Sequence, residues 1–166
     1  MNYTFKGKLI QLVTQEKCLP NGRRINLESI KHPGASLIVP FLSRDKIIFI
    51  KQFRPVIDQY IYELPAGTIE RGETPLACAK REIVEEIGCS AKSMELIGKI
   101  YPVPGYSTEI ISIFKAEQLQ KENIRNEPDE VIQVIPLTKT RIKKLFRTRK
   151  IMDAKTICAL AFCGWI

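Results

Sequence analysis

Two runs dense in β-branched and aromatic residues, ASLIVPFL at 35–42 and KIIFIKQF at 46–53, are separated only by the turn-like Ser43-Arg44-Asp45. No other feature constrains the fold of this chain as tightly. Short runs this apolar predict mostly buried strands, and so short a connection predicts that the two pair with each other. A shorter strand is expected over QYIYEL (59–64), running into Pro65-Ala66-Gly67. Upstream, residues 3–17 and 23–31 alternate apolar and polar side chains around Pro20-Asn21-Gly22, a hairpin signal, and Pro33-Gly34 then breaks the chain.

Residues 74–88 change period. Leu76, Ala79, Ile83 and Ile87 recur at helical spacing, Thr74 can cap, Pro75 fits the first turn, and Gly88 can terminate. Two more strands are expected near 93–101 and 109–116, then a polar loop (118–128), a strand over VIQVIPL (131–137), and helices around 138–147 and 153–163. Strands, one helix, strands and then helices predict an α/β (α+β) domain layered as an α/β/α sandwich. At 166 residues, 45% hydrophobic and 27% charged, the chain can bury one core, which excludes wholesale disorder, collagen and coiled coil. The five cysteines form no C-x-x-C pair and His32 is the only histidine, so a zinc site is not expected. They read as buried thiols in a reducing cytoplasm. No secretion signal is evident, and no apolar run approaches the ~20 residues of a membrane span, so no membrane partner is expected.

The stretch that carries chemistry is GTIERGETPLACAKREIVEEIGC, residues 67–89. On a helix, Glu82, Glu85 and Glu86 share one face near its C-terminal end. Like charges there repel each other and oppose the helix dipole, so local stability does not explain them. A divalent cation would, because clustered carboxylate oxygens suit Mg²⁺ or Mn²⁺. The other reading of three glutamates is a solvated acidic face. Arg81, on the neighbouring face, is placed to hold Glu73 and tie the preceding loop to the helix. Gly67 permits a sharp turn and close backbone approach.

The spacing Gly67, Glu73, Arg81-Glu82, Glu85-Glu86, Gly88 resembles the Nudix box, with Cys89 where an aliphatic residue usually stands. That resemblance implies Mg²⁺-dependent cleavage of a nucleoside diphosphate linked to another moiety. It implies Glu82 and Glu86 as metal ligands, with the Ala66 carbonyl beside them, and Glu85 as a further ligand or base. YPVPGYSTE (101–109), HPGASLIVPFL (32–42), KQFRP (51–55), YELPAG (62–67) and IMDAKTICAL (151–160) are similar to the ADP-ribose pyrophosphatase subgroup. This implies Arg54 on the substrate's phosphate or ribose, Glu109 on the terminal ribose, and Pro104 as the subgroup's marker proline. In the subgroup the base often comes from the loop before the last strand, here NEPDEV (126–131). An ungapped match puts Pro128 at the expected base and Glu130 at a further metal ligand. The base therefore stays open among Glu127, Glu130 and Glu85, with Asp129 also in the loop.

The resemblance implies ADP-ribose or a related nucleoside diphosphate sugar as substrate, with AMP and ribose 5-phosphate as products. It also implies a homodimer in which residues 1–31 form a β arm on a 32–166 catalytic domain. Two alternatives are a nucleotide sensor or nucleic-acid-binding protein on the same fold, and an RNA 5′-end pyrophosphohydrolase. The net charge of +8 motivates them. Yet KTRIKKLFRTRK (139–150) alone supplies +7, while the 67–89 stretch is −2. The excess is a local stripe rather than a basic active site, and nucleic acid is not the expected partner.

Overall fold

The computed structural model describes residues 2–7, 10–123 and 131–166. Three strands come first: β1 (Asn2–Lys6), β2 (Gln11–Cys18) and β3 (Arg24–Lys31). Then follow β4 (Ala35–Ser43), β5 (Lys46–Arg54), β6 (Gln59–Glu63), β7 (Ala66–Thr68) and helix α1 (Pro75–Ile87). The remainder is β8 (Cys89–Ile100), β9 (Ile111–Lys121), β10 (Ile132–Thr138), α2 (Lys139–Arg147) and α3 (Ala154–Phe162).

The central sheet runs β10-β5-β4-β9-β8. It is mixed, because β4 pairs parallel with β9 and antiparallel with β5. Alternation along the buried strands serves two cores, as the two-residue period of a strand requires. Leu37, Val39, Ile47, Phe49, Ile111 and Ile113 face α2 and α3, where Ile142, Leu145 and Leu160 meet them, with Trp165 just beyond α3 in the same core. Ile38, Ile48, Ile50 and Phe114 face α1, where Ala79, Ile83 and Ile87 meet them. Each fully buried aliphatic side chain of this kind is worth about 1.5–3 kcal/mol. Helices on both faces of a mixed sheet make the α/β/α sandwich that the pattern predicts.

Strands β4 and β5 touch only near their hairpin, where Phe41 opposes Ile47 and Ser43 opposes Lys46. Beyond it they part. β6 then pairs with β5, and β7 pairs with β4. Pro65 marks the corner between β6 and β7, its carbonyl accepting from the Ile38 N–H at 2.8 Å. This wedge sets Arg54, Glu63, Ala66 and Gly67 at one end of the sheet.

Helix α1 starts and stops as its sequence dictates. Thr74 Oγ1 accepts from the Ala77 N–H at 3.2 Å, Pro75 opens the helix, and Gly88 closes it at φ 62°. The predicted apolar stripe is shifted in its first turn: Leu76 is 38% exposed and Cys78 is buried instead. Two anchors orient that turn. Ser36 Oγ donates to the Pro75 carbonyl at 2.7 Å, and Cys78 Sγ donates to the Gly67 carbonyl at 3.4 Å.

The N-terminal strands form a separate sheet, β1-β2-β3. The single alternating run expected over 3–17 is in fact two strands. Gly7 donates to the Ile10 carbonyl at 2.8 Å, and the chain doubles back. The Asn-Gly turn lies within Leu19–Arg23, closed by Leu19 N–H to Arg23 O at 2.8 Å. The C-terminal end of β3 is tied to the 103–110 loop by Ile30 N–H to Tyr106 O (2.7 Å) and Thr108 N–H to Ile30 O (3.0 Å). The thiols are not uniformly buried as expected: Cys18 is exposed, Cys78 is buried, and Cys89, Cys158 and Cys163 lie between, all free of disulfides. No helix among the described residues is long and apolar enough to cross a membrane.

Candidate active site

A cleft of about 1200 Å³ opens where β7, the first half of the 67–89 stretch and the ends of β3 and β5 meet. Its floor comes from α1. Glu82 and Glu86 point from the helix toward β7 and are 9% and 2% exposed. Glu86 Oε2 accepts from the Ala66 N–H at 2.9 Å. Glu82 lies against the bare Cα of Gly67, where a Cβ would fall 1.6 Å from Glu82 Oε1. Only glycine permits that contact, so the glycine at this position is steric rather than conformational in purpose.

Arg81 organises the carboxylates around it. Its Nε and Nη2 donate to Glu73 at 3.0 and 3.1 Å, a two-point grip of the kind that fixes a guanidinium plane. Its Nη1 donates to Glu82 at 2.7 Å and to Glu85 at 2.8 Å, and its Nη2 also reaches the Thr68 carbonyl at 3.1 Å. Glu73 is the one partner that spacing predicts for Arg81. The structure adds Glu82 and Glu85, so one cation offsets much of the repulsion that the bare helix would suffer. The hydrogen bond to Glu73, followed by those to Glu85 and Glu82, raises the Arg81 pKa well above its ordinary value against the pull of burial. The reciprocal bond lowers the Glu73 pKa. Beneath them, burial pushes the Cys78 thiol up to about 11.

On the opposite wall stands Arg54, which donates from Nε and Nη2 to Glu63 at 2.8 and 3.1 Å. Burial works against its charge, but the hydrogen bond and charge of Glu63 outweigh it and raise its pKa. Lys31, Arg54, Arg71 and Arg81 bring positive charge to the cleft, and Glu70, Glu82 and Glu85 bring negative charge. A space of this kind suits a phosphate group together with a cation that bridges it to carboxylates.

Six of the residues singled out from sequence line the cleft: Arg54, Ala66, Gly67, Arg81, Glu82 and Glu85. Glu86 stands behind them, buried. Glu109 is one step removed, with its carboxylate 3.7 Å from His32 Nδ1, and His32 itself lines the cleft. His32 Nδ1 also accepts from the Gly34 N–H at 3.1 Å, so the histidine shapes the turn. Pro104 is not among the residues that line the cleft; it sits in the loop docked on β3. Glu127, Asp129 and Glu130 lie outside the described residues.

Sequence reasoning missed Gln11 and Lys31, which reach the cleft from the N-terminal sheet. No local signal marks them, because only the docking of that sheet brings them there. It also missed Glu63 and Lys155. Glu63 had one local mark, a carboxylate at the end of the mostly apolar QYIYEL, whereas Lys155 had none, because only the fold brings it to Glu63.

The donor chemistry suits a divalent cation. Glu82 and Glu86 are hard oxygen donors, buried, four residues apart on α1 and packed against the main chain of Ala66 and Gly67. Among the described residues no third acidic, histidine or cysteine side chain converges with them. Glu85 faces Arg81 instead.

The sequence profile of the NUDIX domain matches residues 31–155. An ADP-ribose pyrophosphatase of Bacillus subtilis (strain 168) is 39% identical over 160 residues, covering 95% of this chain and 86% of the relative. A methanol dehydrogenase activator of Bacillus methanolicus is 33% identical over the same shares. A crystal structure of an ADP compounds hydrolase superposes with a TM-score of 0.83 over 98% of this chain and 89% of that one, at 21% identity, which shows the common fold. With Gly67, Arg81, Glu82 and Glu85 lining one cleft, Glu86 buried behind them, and the profile spanning most of the sequence, the chain belongs to the Nudix family and is a pyrophosphohydrolase.

Proposed function

We propose that this enzyme hydrolyses the pyrophosphate bond of ADP-ribose to AMP and ribose 5-phosphate, with Mg²⁺ as its metal and Mn²⁺ as a substitute. The observation that carries the reading is the buried Glu82–Glu86 pair, set against Ala66 and Gly67 on a cleft that also holds Arg54. The similarity to an ADP-ribose pyrophosphatase over 95% of the chain supports the substrate.

Glu82 and Glu86, with the Ala66 carbonyl and Glu130, are the residues that would hold the metal. When bound, such an ion neutralises phosphate charge and lowers the pKa of a coordinated water. The chain's own groups do the rest. Arg54 meets the phosphate or ribose, and Glu109 meets the terminal ribose. Pro104 shapes the loop that carries Glu109. Glu85 or Glu127 takes the proton of the attacking water. Arg81 holds Glu73, Glu82 and Glu85 in place through its hydrogen bonds to each.

We assign residues 1–31 to a dimerisation arm and residues 32–166 to the catalytic domain. Gln11 and Lys31 already reach the chain's own cleft, so the arm contributes to the site whether or not it also reaches a partner's. Light scattering at micromolar concentration is expected to give a dimer, and a monomer counts against the arm's role. A cytoplasmic setting is consistent with five thiols free of disulfides. ADP-ribose, ADP-glucose and 5′-triphosphate RNA, offered in parallel, test the substrate. Release of AMP from ADP-ribose at the highest kcat/KM supports the proposal, and a preference for RNA overturns it.

A further inference from the structure

Glu63 ends β6 with its side chain 1% exposed, and both its oxygens are engaged. Oε2 accepts from Arg54 Nε at 2.8 Å. Oε1 accepts from Arg54 Nη2 at 3.1 Å and also from Lys155 Nζ. Lys155 in turn donates to Asp153 Oδ1 at 2.9 Å. The other oxygen of Asp153 caps α3 by accepting from the Thr156 N–H at 3.0 Å. Thr156 Oγ1 accepts from the N–H of Leu64 at 3.0 Å, and Leu64 is bonded to Glu63. The circuit closes on itself and joins the cleft wall to the N-terminus of α3.

Stability alone does not account for this arrangement. Well-packed apolar side chains of similar volume hold a fold as well as a buried ion cluster does. The position is not short of apolar neighbours, since Leu64 and Ile50 beside it are buried. What the cluster supplies is orientation. A two-point grip on Nε and Nη2 fixes the plane of the Arg54 guanidinium. Nη1 makes no hydrogen bond to the protein among the described residues, and Arg54 lines the cleft with its side chain 38% exposed. The four charges of Arg54, Glu63, Lys155 and Asp153 sum to zero, so the cluster holds the guanidinium without adding net charge to the site.

We propose that Glu63 is the positioning residue for Arg54, locked by Lys155 and Asp153 to the start of α3, so that Nη1 meets the substrate's phosphate in one fixed direction. This rests on the reading of the protein as a nucleoside diphosphate sugar hydrolase. Glu63→Gln leaves one oxygen where two accept from Arg54 and turns an amide N–H toward the other guanidinium nitrogen, so the two-point grip is lost and the guanidinium plane is no longer fixed.

The test is a cycle of Glu63→Gln, Arg54→Ala and the double variant, with Arg54→Lys alongside, measured for KM, kcat and Tm on ADP-ribose. If wild type does not turn over ADP-ribose, the functional reading fails by itself, and the cycle is run on ADP-glucose. Glu63→Gln is expected to raise KM about tenfold, with a smaller change in kcat, as misorientation of a binding group does. The double variant is expected to be no worse than Arg54→Ala alone, because Glu63 acts through Arg54. Arg54→Lys, which keeps the charge and loses the fork, is expected to match Arg54→Ala. Additive losses in the cycle, or a Glu63→Gln that lowers Tm while KM stays at the wild-type value, overturn the inference. Should Glu63→Gln fail to fold, Arg54→Lys decides: a wild-type KM there shows that charge suffices and orientation does not matter.

Discussion

Glu86 on α1 accepts a hydrogen bond from the backbone N–H of Ala66 on β7, at 2.9 Å. One carboxylate thereby holds the helix that carries the acidic residues against the strand that carries the Gly67 backbone. Glu86 is 2% exposed, and burying its charge is costly unless the charge is used. Glu86→Gln keeps the shape and an oxygen acceptor while removing the charge. Hydrolysis is expected to fall about 10²-fold or more, by analogy with disturbed metal surroundings. The Tm, followed by circular dichroism, is expected to stay level or rise.

Gly67 faces Glu82 so closely that any side chain displaces the carboxylate, since a Cβ would sit 1.9 Å from Glu82 Cδ. Gly67→Ala is expected to lower activity as severely as Glu82→Gln. It also costs about 1–3 kcal/mol of stability through overpacking. Chemical denaturation and initial rates, measured on the same preparation, check both.

The α/β/α layering and α1 with its caps could be read from the sequence because each rests on local chemistry. Buried runs such as KIIFIKQF have no exposed face to conceal, and Thr74-Pro75 and Gly88 punctuate their helix directly. The Glu82–Glu86 pair was legible through fixed spacing. Three things were not. Arg81's grip on Glu82 and Glu85 depends on rotamers chosen inside the fold. The Glu63–Lys155 contact joins residues far apart in sequence. The reach of Gln11 and Lys31 into the cleft depends on how the N-terminal sheet docks, for which a single sequence holds no local mark.

The Arg81–Glu73 pair makes stability depend on pH. The Glu73 carboxyl is held below its ordinary pKa, chiefly by its hydrogen bond to Arg81. A depressed carboxylate contributes stability that is fully present above the unfolded-state pKa and is lost as pH falls through the folded-state value. Wild type is therefore expected to exceed Glu73→Gln in unfolding free energy at neutral pH, with the gap closing only below the ordinary glutamate range. A gap that is constant from neutral to strongly acidic pH contradicts the pairing.

Cys78 lies under the site, fully buried, with its thiol pushed up to about 11 by burial. Thiolate is the reactive form, so Cys78 is expected to resist iodoacetamide at pH 8 while the exposed Cys18 is modified. Peptide mass mapping after timed alkylation checks the order. Prior labelling of Cys78 in the native protein would show that the helix–β7 contact opens.

If the Glu82–Glu86 pair carries pyrophosphate hydrolysis, removing either charge must stop it. The most direct measurement is AMP released from ADP-ribose in Mg²⁺ by wild type, Glu82→Gln and Glu86→Gln, all shown to be folded. Wild type is expected to release equimolar AMP and ribose 5-phosphate, abolished by chelation, with both variants slower by orders of magnitude. Wild-type rates in either variant, or no AMP from wild type, would contradict it.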